Sequence, residues 1–297
     1  MDIHIARIGL CWGIELAYER LNQVAADGEV HVTHRWGPTP TSLIWDPMRR
    51  IVEDDDPELH RRYPNFGNVR LLENADQAAD GMRVAIGHHG AAKEAVLTAR
   101  AGKALVFDFK CPFIAKSDNT ADKLAAAGYD IIAFGKPGNH HCEYACEQAR
   151  AAGRIGLIAE LVAPILDALY EAGRNWACIG QVTANTDRWA RFRADLAASG
   201  VAVRIVDTVC SDSHDRQAEA IALAGRVDLV LVINDNGGST KSVLERCLAV
   251  NLNSILVDPR GDLPDMTKAN SIAIVGGIHV PDWIMADYAA RLRDTVD

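Results

Sequence analysis

Three cysteines each stand where an apolar, strand-forming run gives way to a helix-forming one: Cys11 after IHIARIGL, Cys111 after ALVFDFK and Cys210 after VAVRIVDTV. They lie 100 and 99 residues apart. The same junction recurring at the same interval predicts three similar lobes around a pseudo-threefold axis, on which the three thiols can converge. Further strand-like runs (MRVAIG, YDIIAFG, WACIGQ, VDLVLVI, SILV, SIAIVGG) alternate with helical stretches such as GIELAYERLNQVAADG and AAKEAVLTARAG. Strand–helix alternation at this rhythm gives parallel sheets, and parallel sheets present their ligands at the carboxyl ends of the strands. The expected fold class is therefore α/β, with three small parallel-sheet domains over residues 12–110, 111–206 and 207–297. The strand within residues 1–11 leads to the centre.

The cysteines then carry the chemistry. Seven is an odd number, scattered through 297 residues, which argues against a secreted disulfide framework and leaves metal ligation or buried thiols. Free cysteine is commonly a small buried apolar residue, and Cys142, Cys146, Cys178 and Cys247 read that way. For the three at strand ends, topology and spacing agree on a common site. Three thiolates can hold zinc with an open fourth position, or a cubane cluster with one iron lacking a protein ligand. A helix start favours either assembly, because its free N–H groups and dipole stabilise thiolates and an anionic cluster. Pro112, Ser211 and Ser213 suit such helix starts.

Charge and hydropathy narrow the partners. A net charge of −9 argues against a general nucleic-acid or anionic-membrane binder. The opening MDIHIARIGL lacks the zones of a signal peptide, and no apolar run reaches spanning length, so a cytoplasmic protein is expected. The acidic stretch at residues 53–56, ending at Pro57, reads as a solvated turn.

In order along nearly the whole chain, the motifs resemble those of the LytB family of 4-hydroxy-3-methylbut-2-enyl diphosphate reductases. Residues 8–13 (IGLCWG) resemble GFC-x-G, residues 87–90 (GHHG) resemble A-H-G, and residues 106–112 (VFDFKCP) resemble VFDATCP. Residues 207–217 (DTVCSDSHDRQ) resemble DTIC-x-A-T-x-x-RQ, and residues 276–281 (GGIHVP) stand at GAS-x-P. The resemblance implies a three-lobed clover around a central [4Fe-4S] cluster on Cys11, Cys111 and Cys210, with one iron lacking a protein ligand. It also implies reductive removal of an allylic hydroxyl, assisted by protonation.

The departures lie around the substrate. The family's H-P-E acid motif faces residues 135–143 (GKPGNHHCE). Its glutamate falls on His141 without gaps, and on Glu143 with a two-residue insertion. The N-S-S-N diphosphate cup faces residues 236–240 (NGGST), with Gly238 and Thr240 in place of a serine and an asparagine. His279 replaces the serine of GAS-x-P, the early family histidine falls near Pro38, and T-Q-T-T reads Gly180-Gln181-Val182-Thr183.

These residues predict an iron–sulfur reductase that dehydroxylates a small polar or anionic substrate other than the usual isoprenoid diphosphate. His141 or Glu143 is the expected proton donor, since imidazole titrates near neutral pH, and Thr183 lies near the reacting hydroxyl. His89, His140, Asn236, Ser239, Thr240 and His279 are expected to orient substrate, with electrons from a ferredoxin- or flavodoxin-type donor. Two other readings stand: the ordinary diphosphate reductase, and a non-catalytic iron–sulfur sensor. A separate zinc site of His140, His141, Cys142 and Cys146 is disfavoured, because adjacent ligands at a helix start diverge.

Overall fold

A computed structural model describes residues 1–7, 9–33, 56–72, 77–90, 93–235 and 237–295. Its strands are β1 (Asp2–Ile5), β2 (Val30–Thr33), β3 (Val69–Leu72), β4 (Arg83–Ile86), β5 (Leu105–Asp108), β6 (Asp130–Phe134), β7 (Gly156–Ala159), β8 (Trp176–Gly180), β9 (Val203–Val206), β10 (Leu229–Ile233), β11 (Ser254–Val257) and β12 (Ser271–Gly276). They form three wholly parallel four-stranded sheets, ordered β3-β2-β4-β5, β7-β6-β8-β9 and β1-β12-β10-β11.

The three orders are one pattern. In the first two sheets the strands run second, first, third, fourth in sequence. Read from β11, the last sheet runs β11-β10-β12-β1, so the N-terminal strand fills the fourth position. Each strand is followed by a helix or loop that crosses back to the next, as parallel neighbours require. The α/β architecture of small parallel sheets is thus as expected.

Two compact units contain these sheets. Met1–Phe109 together with Ser211–Asp297 form one, and Lys110–Cys210 form the other. The inner strands β6 and β8 are buried throughout: every residue of DIIAF and of WACIG is enclosed. Such runs belong to strands covered on both faces. The fourth-position strands β5 and β9 expose their middle or outer residues instead. In the 110–210 unit Phe134 packs on Trp189 and Phe192 with ring centroids 5.2 and 5.0 Å away. Full burial of such side chains contributes roughly 1.5–3 kcal/mol each.

Three strands escape the sequence pattern: β2, β3 and β7, each of four residues, too short for alternation to show. The acidic stretch corrects in part. Residues 53–55 lie outside the described residues, but Asp56 is buried rather than solvated. It caps the helix Pro57–Arg62 by accepting from the N–H groups of Glu58 and Leu59, and its other oxygen accepts from Trp283 Nε1 at 2.9 Å.

Candidate functional site

Equivalent strands end in equivalent loops, and the cysteines occupy one of them. Cys11 follows β1, Cys111 follows β5 and Cys210 follows β9, the fourth-position strand of each sheet. Cys11 and Cys111 are the N-cap residues of the helices Trp12–Ala25 and Pro112–Ala126, and neither side chain makes a capping hydrogen bond. Cys210 immediately precedes the helix Ser211–Ala224. In the 110–210 unit Cys111 and Cys210 pack together with Ile114, Val182 and the partly buried Phe113, and the Cys210 N–H donates to the Val182 carbonyl.

Cys11 sits in a turn longer than the sequence suggests, because β1 ends at Ile5. Arg216 holds that turn. Its guanidinium donates to the carbonyls of Gly9 at 2.7 Å and Leu10 at 2.9 Å, and to Asp212 at 3.1 Å. The Cys11 N–H donates to the Ile278 carbonyl. Arg216 belongs to the R-Q pair of the third cysteine motif, so the signal was present without a role attached to it.

The other four cysteines are core residues. Burial pushes the thiols of Cys142 and Cys146 up to about 12 and that of Cys247 up to about 11; Cys178 also rises by burial. Such thiols stay protonated at neutral pH, which makes poor metal ligands of Cys142 and Cys146. Cys11, Cys111 and Cys210 are thus three thiols at topologically equivalent helix starts, a donor type suited to an iron–sulfur group and set apart from the four protonated core thiols.

In the 110–210 unit, the loop after β6 leads into the helix His140–Ala151. His140 is exposed. His141 is largely enclosed, with Nδ1 3.9 Å from Asp118 Oδ1, while Lys110 Nζ donates to Asp118 Oδ2 at 2.9 Å. Burial pushes the Asp118 carboxyl up, but His141 and Lys110 together outweigh it and hold the group below the usual carboxylate range. Glu143 turns back on its own loop, where Oε1 accepts from the Gly138 N–H at 2.9 Å. Thr183 stands in the loop after β8, and its hydroxyl accepts from Gln181 Nε2 at 3.3 Å.

In the other unit, the loops after β4 and β12 and the first turn of the helix Gly238–Leu248, which follows β10, bring His89, Ser239, Thr240 and His279 into one neighbourhood. His88, which the sequence reading passed over, joins them. Thr240 and Asp235 are fully buried, and Asp235 Oδ1 accepts from the Thr240 hydroxyl and from the Gly237 N–H. Asp235 Oδ2 lies 3.7 Å from His279 Nδ1. The Ser239 hydroxyl accepts from the Ile278 N–H at 3.3 Å. A Cβ on Gly277 would collide with Thr240 Oγ1, Asp235 Oδ2 and Ser239 Oγ, so only glycine allows this approach. Asn236 and the segment around Pro38 lie outside the described residues.

The LytB protein family model matches residues 3–293. The chain belongs to the LytB family. Among its relatives, a 4-hydroxy-3-methylbut-2-enyl diphosphate reductase of Anaeromyxobacter sp. (strain K) is 27% identical over 99% of both chains. A protein of that name from Anaeromyxobacter sp. (strain Fw109-5) is 28% identical, over 99% of this chain and 97% of the relative. The structure of the E-1-hydroxy-2-methyl-but-2-enyl-4-diphosphate reductase from Plasmodium falciparum shares the fold with a TM-score of 0.80 at 18% identity, over 98% of this chain and 87% of that one. LytB membership and these names agree with the expectation of an iron–sulfur reductase. No helix among the described residues is long and apolar enough to cross a membrane.

Proposed function

We propose that this LytB protein is a [4Fe-4S]-dependent reductase that removes a hydroxyl from a small anionic substrate in the cytoplasm, drawing electrons from a ferredoxin- or flavodoxin-type donor. The observation that carries the reading is the equivalence of Cys11, Cys111 and Cys210, each beyond the fourth-position strand of its sheet. Residues 12–110, 111–206 and 207–297 are its three lobes. The three thiols hold the cluster and leave one iron without a protein ligand. Bound there, such a group supplies a Lewis-acidic metal and a store of electrons.

The protein's own part is to hold the reacting hydroxyl and deliver a proton. His141 is the donor: its ring is largely enclosed, and its Nδ1 lies 3.9 Å from the Asp118 carboxylate, which orients it. Lys110 fixes that carboxylate. Glu143 is the second candidate, but it is already engaged by the Gly138 N–H. Thr183 positions the hydroxyl to be lost. His89, His140, Asn236, Ser239, Thr240 and His279 orient the remainder.

The substrate departs from the family's usual isoprenoid diphosphate, because the hydroxyl of Thr240 is already donated to Asp235 and His279 stands where a serine is usual. The names of the relatives favour the second reading, the ordinary diphosphate reductase. Anaerobic reconstitution tests the core: about four irons and four sulfides per chain are expected. Cys11→Ser, Cys111→Ser and Cys210→Ser should each lower that content, and Cys247→Ser should not. Unchanged iron in all three variants would remove the proposal. Reduction of 4-hydroxy-3-methylbut-2-enyl diphosphate by the loaded protein, at kcat/KM above roughly 10⁴ M⁻¹s⁻¹, would decide for the second reading.

A further inference from the structure

His88, His89 and His279 come together in the unit formed by Met1–Phe109 and Ser211–Asp297, and no cysteine is among them. One ligand atom from each ring can be chosen so that all three lie within 4.8 Å of one another. The ring centroids of His88 and His89 are 3.8 Å apart, and those of His89 and His279 are 5.6 Å apart. Adjacent histidines usually point apart. Here a tight turn overrides that: the Gly90 N–H donates to the Gly87 carbonyl at 2.9 Å, and Gly90 takes a φ of +80°. His88 and His89 are the two central residues of this turn, and both rings face His279. His88 and His279 are 3% and 5% exposed.

Three histidines whose ligand atoms lie this close together, two of them buried, form a donor set that a cation can bridge. Imidazole suits zinc and its neighbours in the first transition row. Around a tetrahedral zinc the ligand nitrogens stand about 3.3 Å apart, from Zn–N bonds of 2.0–2.1 Å.

The decisive feature is behind His279. Asp235 is fully buried, and its Oδ2 accepts no hydrogen bond among the described residues while lying 3.7 Å from His279 Nδ1. Its Oδ1 is fixed by the Gly237 N–H and the Thr240 hydroxyl. A carboxylate on the far nitrogen of a ligating histidine fixes the tautomer and makes the ring a better donor. Asp235 stands on the Nδ1 side of His279 at 3.7 Å, the place of such a supporting carboxylate for a ring that ligates through Nε2.

We infer that His88, His89 and His279 form a binding site for a borderline divalent cation of the Zn²⁺ class, oriented by Asp235, with its remaining position open to an oxygen ligand. Metal binding stands independently of the iron–sulfur centre. Only a use of that open position to hold an anionic group of the substrate rests on the function proposed above.

Cobalt titration of the anaerobically purified full chain tests the site, because Co²⁺ reports its ligands. One equivalent should bind with visible d–d bands and without the sulfur-to-cobalt charge transfer that thiolate ligands produce. That equivalent should be lost in His279→Ala and in His89→Ala, and weakened about 10–100-fold in Asp235→Asn, the usual effect of losing such a supporting carboxylate. His140→Ala should leave it intact. Zn²⁺ should displace the bound Co²⁺ and abolish the bands. The inference is overturned if no histidine-dependent equivalent binds, if every bound cobalt shows thiolate charge transfer, or if the trio takes inorganic phosphate and refuses Co²⁺. His89 is only partly buried, so His89→Ala keeps the test decisive should a core variant fail to fold.

Discussion

Two adjacent histidine pairs, His88–His89 and His140–His141, are nearly superimposable as local geometry. Their ring centroids are 3.8 Å apart in both, and their ring planes meet at 46° and 44°. Their surroundings differ in every chemical respect. His88–His89 lies in a glycine-bounded turn facing a third histidine, itself backed by the buried Asp235. His140–His141 starts a helix with one ring exposed and the other beside Asp118, which Lys110 also holds. The first setting gathers three rings, and the second sets a single enclosed ring beside a carboxylate that a lysine also holds. The same dipeptide thus acquires two different environments, and the two roles proposed above rest on that difference.

The largest expected effect separates the members of the second pair. His141→Ala should lower turnover by about 10² or more, the usual cost of a lost general acid, with iron content unchanged. His140→Ala should cost far less in turnover and act chiefly on KM, as loss of a residue that only orients substrate does. Equal rates in the two variants, measured under one reductant, would erase the distinction drawn between them.

Next is the buried carboxylate of the first pair. Thr240→Val removes a donor from fully buried Asp235, which should destabilise the protein by about 1–3 kcal/mol, read from the urea midpoint at constant m. A midpoint that does not move would mean that Asp235 draws no support from this hydroxyl.

The carboxylate of the second pair should respond to pH. Asp118 is held below the usual range when folded. Its contribution is therefore present above the unfolded value of about 3.9 and is lost as the pH falls through the lower folded value. Asp118→Asn should be less stable than the parent at pH 7, and the gap should narrow as the pH drops below about 4. Cluster-free samples of both proteins make the comparison clean. A gap independent of pH would show that charge plays no part in it.

The smallest effect concerns Glu143. Glu143→Gln keeps an acceptor for the Gly138 N–H, so turnover should change by no more than about 3-fold, far less than the loss of a general acid brings. A fall comparable to that of His141→Ala would transfer the proton to Glu143.

Much of this was legible in the chain itself, for definable reasons. Inner strands such as β6 and β10 carry the uninterrupted apolar runs IIAF and LVLVI, and the cysteine junctions mark strand ends whose order the sheets repeat. Strands of four residues, such as VHVT in β2, offer too little pattern to read. Asp56 and Asp235 illustrate a different limit. A carboxylate between a strand and a helix looks solvated on paper, yet one caps a helix from a buried position and the other is fully enclosed. His88 escaped notice because the motif drew the eye to the histidine beside Gly90, and a turn that turns two neighbouring rings the same way has no signature in residue type. Arg216 was visible as part of a motif, but its target is a pair of backbone carbonyls 206 and 207 residues away.

The place of β1 in its sheet has a consequence for how the protein is made. Asp2 pairs with Ser271 and Ile5 with Ile274, so β1 completes a sheet whose other strands, at residues 229–276, are translated long after it. At synthesis rates of roughly 5–20 residues per second, β1 waits on the order of tens of seconds for its neighbour. Cys11 waits with it, since its turn is gripped by Arg216 and its N–H by Ile278. Cys111 and Cys210, by contrast, share a unit that is fully translated at residue 210. Of the three thiols, the first to be translated is the last to be seated, and a nascent chain stalled before β12 carries it on a loose arm.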